Sequence, residues 1–187
     1  MEESILKAVE VLKKGGLILY PTDTIWGIGC DATNEKAVEK VYALKRRSDS
    51  KALVLLASDL DMVARYIKEI PQMALQLVEV NDAPMTIIYP GACGLAPNAV
   101  AEDGTVGMRI PLEGSCIDIV RRLGRPLVST SANISGQPSP KCYADICDEI
   151  KNGVDYIVDP ALESGETGKA SQIIKVGLDG EIKIIRA

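Results

Sequence analysis

Lys45, Arg46, Arg47 and Lys51 put four cations into the seven residues Lys45-Arg46-Arg47-Ser48-Asp49-Ser50-Lys51. The chain around them is acidic, with 26 Asp+Glu against 21 Lys+Arg and a formal net charge of −5 at pH 7. One chemistry that suits such a knot is a clamp for a polyanion such as a triphosphate, because a planar guanidinium binds phosphate oxygens in pairs. A second reading is a solvated helix C-terminus, where Lys and Arg complement the helix dipole. These seven residues leave both open. Ser129-Thr130-Ser131-Ala132-Asn133-Ile134-Ser135-Gly136 is the other chemically dense stretch. Its hydroxyls and amide could bond phosphate, ribose or an adenine edge without adding charge, or could close a turn on their own backbone.

Other chemistries are excluded. Histidine is absent, which removes Ser-His-Asp and Cys-His catalysis and the His-containing zinc sites. The five cysteines, Cys30, Cys93, Cys116, Cys142 and Cys147, form no C-x-x-C and are expected to be reduced thiols. Gly165-Glu166-Thr167-Gly168-Lys169-Ala170 fails as a P-loop: Glu163 stands at the first Gly position and Ala170 replaces the metal-binding hydroxyl. No signal peptide or membrane span is expected, so the chain reads as cytoplasmic.

The elements that must carry these residues alternate between helix and strand. Ile5, Ala8, Val9 and Leu12 recur at helical spacing before Gly15-Gly16. Leu17 to Tyr20 and Ile25 to Cys30 read as strands around the polar loop Pro21-Thr22-Asp23-Thr24. Asn34 caps a helix with Ala37, Val38, Val41 and Leu44 on its apolar face, which delivers the basic knot. Ala52 to Ala57 is a continuous apolar strand. Ser58 and Ser115 are expected to cap helices, Pro71 to open one, and Tyr143 to Ile150 to form another. Met85–Tyr89, Thr105–Ile110, Leu127–Ser129 and Tyr156–Val158 are further strands, and Ser171–Val176 and Glu181–Ile185 flank the hairpin signal Asp179-Gly180. The expectation is a single domain over residues 1–187, α/β, with a mixed sheet.

Four stretches in register now carry a resemblance. Tyr20-Pro21-Thr22-Asp23-Thr24-Ile25-Trp26-Gly27-Ile28-Gly29-Cys30-Asp31-Ala32 resembles the opening signature of the YrdC-like family. Lys45-x-Arg47 with Lys51, Val106-Gly107-Met108-Arg109-Ile110-Pro111, and Pro126-Leu127 through Ser131-Ala132-Asn133-Ile134-Ser135-Gly136-Gln137-Pro138 resemble its later motifs. The resemblance implies an open, twisted sheet flanked by helices around a large concave site. It implies the synthesis of threonylcarbamoyl-adenylate from ATP, L-threonine and bicarbonate, the first step of a modification of tRNA adenosine 37. It places Lys45, Arg47, Lys51, Thr105, Ser131, Asn133, Ser139 and Arg186 on ATP, with Lys45 and Arg47 as the catalytic pair. It places Thr24, Arg109, Ser129 and Ser171 on threonine. Mg²⁺ would accompany ATP with no protein metal site, and downstream tRNA-modification proteins would be partners.

The chain departs from the family pattern at several points. Trp26 stands where Tyr or Phe is frequent. The W-P-G-P-x-T run appears as Asn81-Asp82-Ala83-Pro84-Met85-Thr86. Leu112-Glu113-Gly114 occupies the place of a His-Pro, and Lys51 that of an Asn. A rival reading is an RNA-binding module of the same fold without synthase activity. The net charge of −5 leaves room for only weak tRNA or RNA binding. Another carbamoyl or phosphosugar enzyme is a third reading.

Overall fold

The computed structural model describes residues 1–47, 53–163 and 167–187. Lys51, Ala52 at the start of the expected strand Ala52–Ala57, and residues 164–166 of the expected loop Ser164–Lys169 lie outside the described residues. Helix α1 (Glu2–Lys13) buries Ile5, Ala8, Val9 and Leu12, and has Glu2 and Glu3 in its first turn, where the dipole favours them. Strands β1 (Ile18–Tyr20) and β2 (Gly27–Gly29) follow. Helix α2 (Glu35–Leu44) starts as expected at Asn34, whose Oδ1 accepts from the Ala37 amide at 3.1 Å. It leads through Lys45 to Arg46, at φ 52, and Arg47.

Strand β3 (Val54–Leu56) is followed by helices α3 (Leu60–Tyr66) and α4 (Gln72–Val80) and strands β4 (Met85–Tyr89) and β5 (Val106–Arg109). Two caps differ from expectation. Asp59, not Ser58, caps α3: its carboxylate accepts from the Met62 amide at 2.8 Å while Ser58 donates to it at 2.7 Å. A charged acceptor displaces the hydroxyl as cap. Pro71 sits just outside α4 at its N-cap. Helix α5 (Ser115–Leu123) is capped by Gly114 at φ 100, and the Ser115 hydroxyl has no partner. Gly124, in the left-handed region at φ 73, ends that helix.

The expected strand Leu127–Ser129 divides into β6 (Leu127–Val128) and β7 (Thr130–Ser131). The expected helix Tyr143–Ile150 is a 3₁₀ turn over Tyr143–Asp145 and then a short helix α6 (Asp148–Gly153). Ile146 and Ile150 are both buried in the core. Strands β8 (Tyr156–Ile157), β9 (Gln172–Val176) and β10 (Ile182–Arg186) complete the chain, β9 and β10 as the expected antiparallel hairpin.

These strands form an open α/β arrangement of two mixed sheets, in the orders β7-β2-β1-β8 and β10-β9-β4-β5-β3-β6. The chain passes between them after β2, after β6 and after β8, and the passage from β6 to β7 is made by the single residue Ser129. There the Ser129 amide donates to Val54 O at 2.8 Å, the Val128 amide to Cys30 O at 2.8 Å, and the Ala132 amide to Trp26 O at 3.0 Å. The crossing strand is therefore stitched to both sheets. Close approach at this corner explains Gly29: a Cβ there would lie 2.6 Å from the Tyr20 ring and 2.9 Å from Val128 O, the same carbonyl that accepts the Tyr20 hydroxyl at 3.1 Å. The core is aliphatic, and Cys30 and Cys116 are packing residues within it, their thiols pushed up by burial.

Gly29→Ala is expected to cost more stability than Gly124→Ala. At Gly124 a Cβ meets nothing within 4 Å, so only the left-handed backbone opposes it, at about 1–2 kcal/mol. At Gly29 a backbone oxygen and a packed ring must move, and overpacking costs about 1–3 kcal/mol plus any loss of the Tyr20 hydrogen bond. Thermal unfolding of the two variants compares them, at roughly 2–4 °C per kcal/mol for a chain of this size. If Gly29→Ala melts no lower than Gly124→Ala, the corner is not tightly packed.

Candidate functional site

A cleft of about 520 Å³ opens at the corner where the sheets meet. Thr24 to Gly27, entering β2, form one wall, and Ser129, Thr130 and Ser131 of the crossing strand form another. Arg109 closes one end, and Ala170, Ser171 and Ile173 lead into β9. Arg47, Leu53, Val54, Ser139, Ile185 and Arg186 line the remainder. Among the described lining residues there are three arginines and no carboxylate, so an acidic chain presents a cationic cleft.

The Arg109 end is buried and pre-arranged. Arg109 is 3% exposed and Asp23 2%, and Nη1 of the arginine donates to Asp23 Oδ1 in an ion pair. The other carboxylate oxygen accepts from the Leu112 amide at 3.0 Å, and Arg109 Nη2 lies 3.4 Å from Thr24 Oγ1. Thr22 Oγ1 donates to Ile25 O at 2.7 Å and accepts from the Thr24 and Ile25 amides. With its proton so used, the 2.9 Å contact between the two threonine hydroxyls has Thr24 as donor. Thr24, which also accepts from Arg109 Nη2, keeps one lone pair for the cleft. Nearby, the buried Ser171 hydroxyl pairs with Thr86 Oγ1 at 2.7 Å, and Arg186 fixes the Ser171 carbonyl with bonds of 2.8 and 2.6 Å.

The opposite end is built on the turn after β7. Lys45 is 3% exposed, and its ammonium donates to Ser131 O and, at 2.8 Å, to Asn133 O. Its own carbonyl accepts from the Ser135 amide at 2.9 Å. Burial, with a smaller contribution from the Arg47 charge, pushes the Lys45 ammonium down to about 8 from its ordinary 10.5. Asn133 donates to Ile134 O and Gln137 O, at 3.0 and 2.8 Å, closing the turn. Arg47 faces the Tyr42 ring at 5.7 Å, and Arg46 pairs with Glu149 at 2.6 Å.

The chain matches, over residues 10–187, the family model Sua5/YciO/YrdC, described as "Telomere recombination". It belongs to the Sua5/YciO/YrdC family. A protein of Hahella chejuensis named threonylcarbamoyl-AMP synthase is 32% identical over 90% of this chain and 91% of its own length. The structure of P. abyssi Sua5 complexed with L-threonine superposes with a TM-score of 0.85 and 27% identity over 94% of this chain. This chain spans about half of that protein, 52% of its length. E. coli YciO superposes with a TM-score of 0.86 and 25% identity, covering 100% of this chain and 89% of its own.

Of the site residues expected from the Sua5/YciO/YrdC motifs, Thr24, Arg47, Arg109, Ser129, Ser131, Ser139, Ser171 and Arg186 line one cleft. Thr105 does not join them: it precedes β5 at the strand end remote from Arg109, and its hydroxyl donates to Asp103 at 2.6 Å. Lys45 and Asn133 lie behind the lining, their donors bonded to backbone carbonyls, and so support the turn rather than face the cleft. Lys51 lies outside the described residues. Asp23, Thr22 and Thr86 are functional neighbours that sequence reasoning did not single out. Asp23 and Thr22 lie within the opening signature, and Thr86, with Pro84, keeps the family pattern in the altered run Asn81–Thr86.

Lys45 gives this end of the cleft a proton linkage. Below about pH 8 the amine is protonated whether folded or unfolded. Between about 8 and 10.5 the unfolded chain holds more protons, so this group's contribution makes stability rise with pH across that window. A polyanion entering beside Lys45 and Arg47 favours the charged amine. A triphosphate added at about pH 8.5 that enters there should therefore take up protons, read by calorimetry in buffers of different ionisation enthalpy, and Lys45→Met should abolish the uptake. Equal uptake by Lys45→Met would show that another group is responsible.

Proposed function

We propose that this chain is an L-threonylcarbamoyladenylate synthase, making threonylcarbamoyl-AMP and pyrophosphate from L-threonine, bicarbonate and ATP for the N6-threonylcarbamoyl modification of tRNA adenosine 37. The observation that carries the reading is the asymmetry of the cleft. One end holds a small buried constellation of Arg109, Thr24 and Ser171 suited to an amino acid, and the other a cationic, hydroxyl-lined wall suited to a nucleotide. In the reaction the threonine amine and bicarbonate give a carbamate and water. A carbamate oxygen attacks the α-phosphorus of ATP, and pyrophosphate leaves.

No histidine or carboxylate in the cleft is needed for that sequence. Alignment and neutralisation of developing charge carry it. Arg109 would bind the threonine carboxylate, while Thr24 accepts a hydrogen bond from the amine or the hydroxyl. Ser171, held by Thr86, and Ser129 would complete the threonine side. Arg47, Arg186, Ser131 and Ser139 would face the nucleotide, with Lys45 and Asn133 holding the turn that presents Ser131.

No group of three or more metal-ligating side chains occurs among the described residues, and no described carboxylate lines the cleft. Mg²⁺ would arrive as MgATP, held by phosphate oxygens and water. No helix among the described residues is long and apolar enough to cross a membrane. A cytoplasmic enzyme that passes its product to tRNA-modifying proteins fits the reading. RNA contact would be weak, because Arg46 is paired with Glu149 and Arg109 is buried.

Pyrophosphate release that requires both threonine and bicarbonate tests the proposal, and release independent of either sinks it. Arg47→Ala should keep the fold and lose turnover by about 10- to 100-fold or more, the loss of one charge-assisted contact at ~1.5–3 kcal/mol. Serine lacks one methyl and should react more poorly, by roughly 10- to 200-fold. Valine leaves the hydroxyl partners unpaired and should be rejected more strongly still. If valine equals or beats serine, the substrate hydroxyl is not read by Thr24 or Ser171.

A further inference from the structure

Asp23 does not line the cleft, yet Arg109, which does, and two further segments, the turn at Leu112 and residues 167–168, converge on it. Its Oδ1 accepts from Arg109 Nη1, and its Oδ2 accepts from the Leu112 amide at 3.0 Å. Its backbone carbonyl accepts from the Thr167 amide at 3.2 Å, and the next carbonyl, of Thr24, accepts from the Gly168 amide at 3.0 Å. One residue thus fixes the guanidinium, the turn after β5 and the strap at 167–168 relative to Thr24.

We propose that Asp23 is the positioning residue for amino-acid recognition: it holds the Arg109 guanidinium in the orientation that meets a substrate carboxylate while anchoring the strap beside Thr24. The inference rests on the proposed threonine site and deepens it. The carboxylate touches no substrate and acts through Arg109. Two effects of Asp23 on a bound carboxylate have opposite signs. As a charge, it weakens the field of Arg109, so its neutralisation should tighten threonine binding. As a positioner, it removes the rotational freedom of a long side chain, so its neutralisation should loosen binding. Asp23 takes one hydrogen bond on each oxygen, and replacing either oxygen by an amide nitrogen sets donor against donor, at Arg109 or at Leu112. The geometry therefore favours the second sign.

Pyrophosphate release by wild type and Asp23→Asn is measured with L-threonine and with L-threoninamide, which lacks the carboxylate. Asp23→Asn should raise the KM for threonine by about 10- to 100-fold while leaving the KM for ATP near that of wild type. The preference of wild type for threonine over threoninamide should largely disappear, because only the carboxylate uses the oriented fork. A threonine KM that falls or stays unchanged, or a KM that rises equally for both substrates, overturns the assignment.

Should Asp23→Asn fail to fold, Asp23→Glu decides, because it keeps the buried charge opposite Arg109 and displaces it by one methylene. It should raise the KM for threonine more than the KM for threoninamide, and an equal change in both overturns the proposal. A wild-type chain that releases no pyrophosphate with threonine overturns the functional reading and this inference with it. A wild-type chain that does, beside an unaffected Asp23→Asn, overturns this inference alone.

Discussion

Two cations, Arg109 and Lys45, are 3% exposed, and the rest of the site follows from how each is compensated. Removing an ammonium or guanidinium from water is expensive unless every donor finds an acceptor. Arg109 is compensated by a full opposite charge at Asp23. Lys45 is compensated by carbonyl dipoles, Ser131 O and Asn133 O, with no carboxylate among its hydrogen-bond partners. Lys45, with only dipolar partners, is pushed down to about 8 by burial and, to a smaller extent, by the Arg47 charge. Each solution also fixes backbone. Asp23 ties together the segments around Thr24, Leu112 and Thr167, and Lys45 closes the turn that carries Ser131.

That division explains what was legible in the sequence. The motifs supplied residue types in register, so Thr24, Arg47, Arg109, Ser129, Ser131, Ser139, Ser171 and Arg186 could be gathered before any fold was known, and they do line one cleft. The motifs do not reveal which way a cation points. Lys45 and Arg47 are two residues apart and chemically alike. The left-handed conformation at Arg46, φ 52, comes between them, and Lys45 turns inward while Arg47 lines the cleft. Thr105 fails for a similar reason: β5 carries Arg109 at one end, and Thr105 precedes the other.

The fold was readable where periodicity was strong and local, as in α1, α2 and the β9–β10 hairpin. It was less so where long-range packing overrode local preference. The apolar run through Leu127 to Ser129 contains no signal that its strand ends at Val128 and that the chain then joins a second sheet. That switch is decided by partners far away in sequence, Cys30, Val54 and Trp26, whose carbonyls accept from the crossing segment. The caps of α3 and α5 were misassigned because Ser is a good cap in general. Asp59 is a stronger acceptor, and Gly114 reaches a backbone conformation that Ser115 would not.

The crossing at Ser129 also accounts for the two characters of the cleft. A small amino acid brings few atoms to read, so discrimination depends on groups whose positions are settled beforehand and whose partners are left unpaired by the wrong ligand. The end formed by Arg109, Thr24 and Ser171 has that character, because β5 and the Thr22–Thr24 loop pack against each other away from water. A polyanion brings its own strong field, so the cations that meet it need less burial, and Arg47 is half-buried and Arg186 exposed. A single flat sheet would present both groups to solvent alike. By turning the chain from one sheet into the other, the Ser129 corner buries one set and exposes the other within the same cleft.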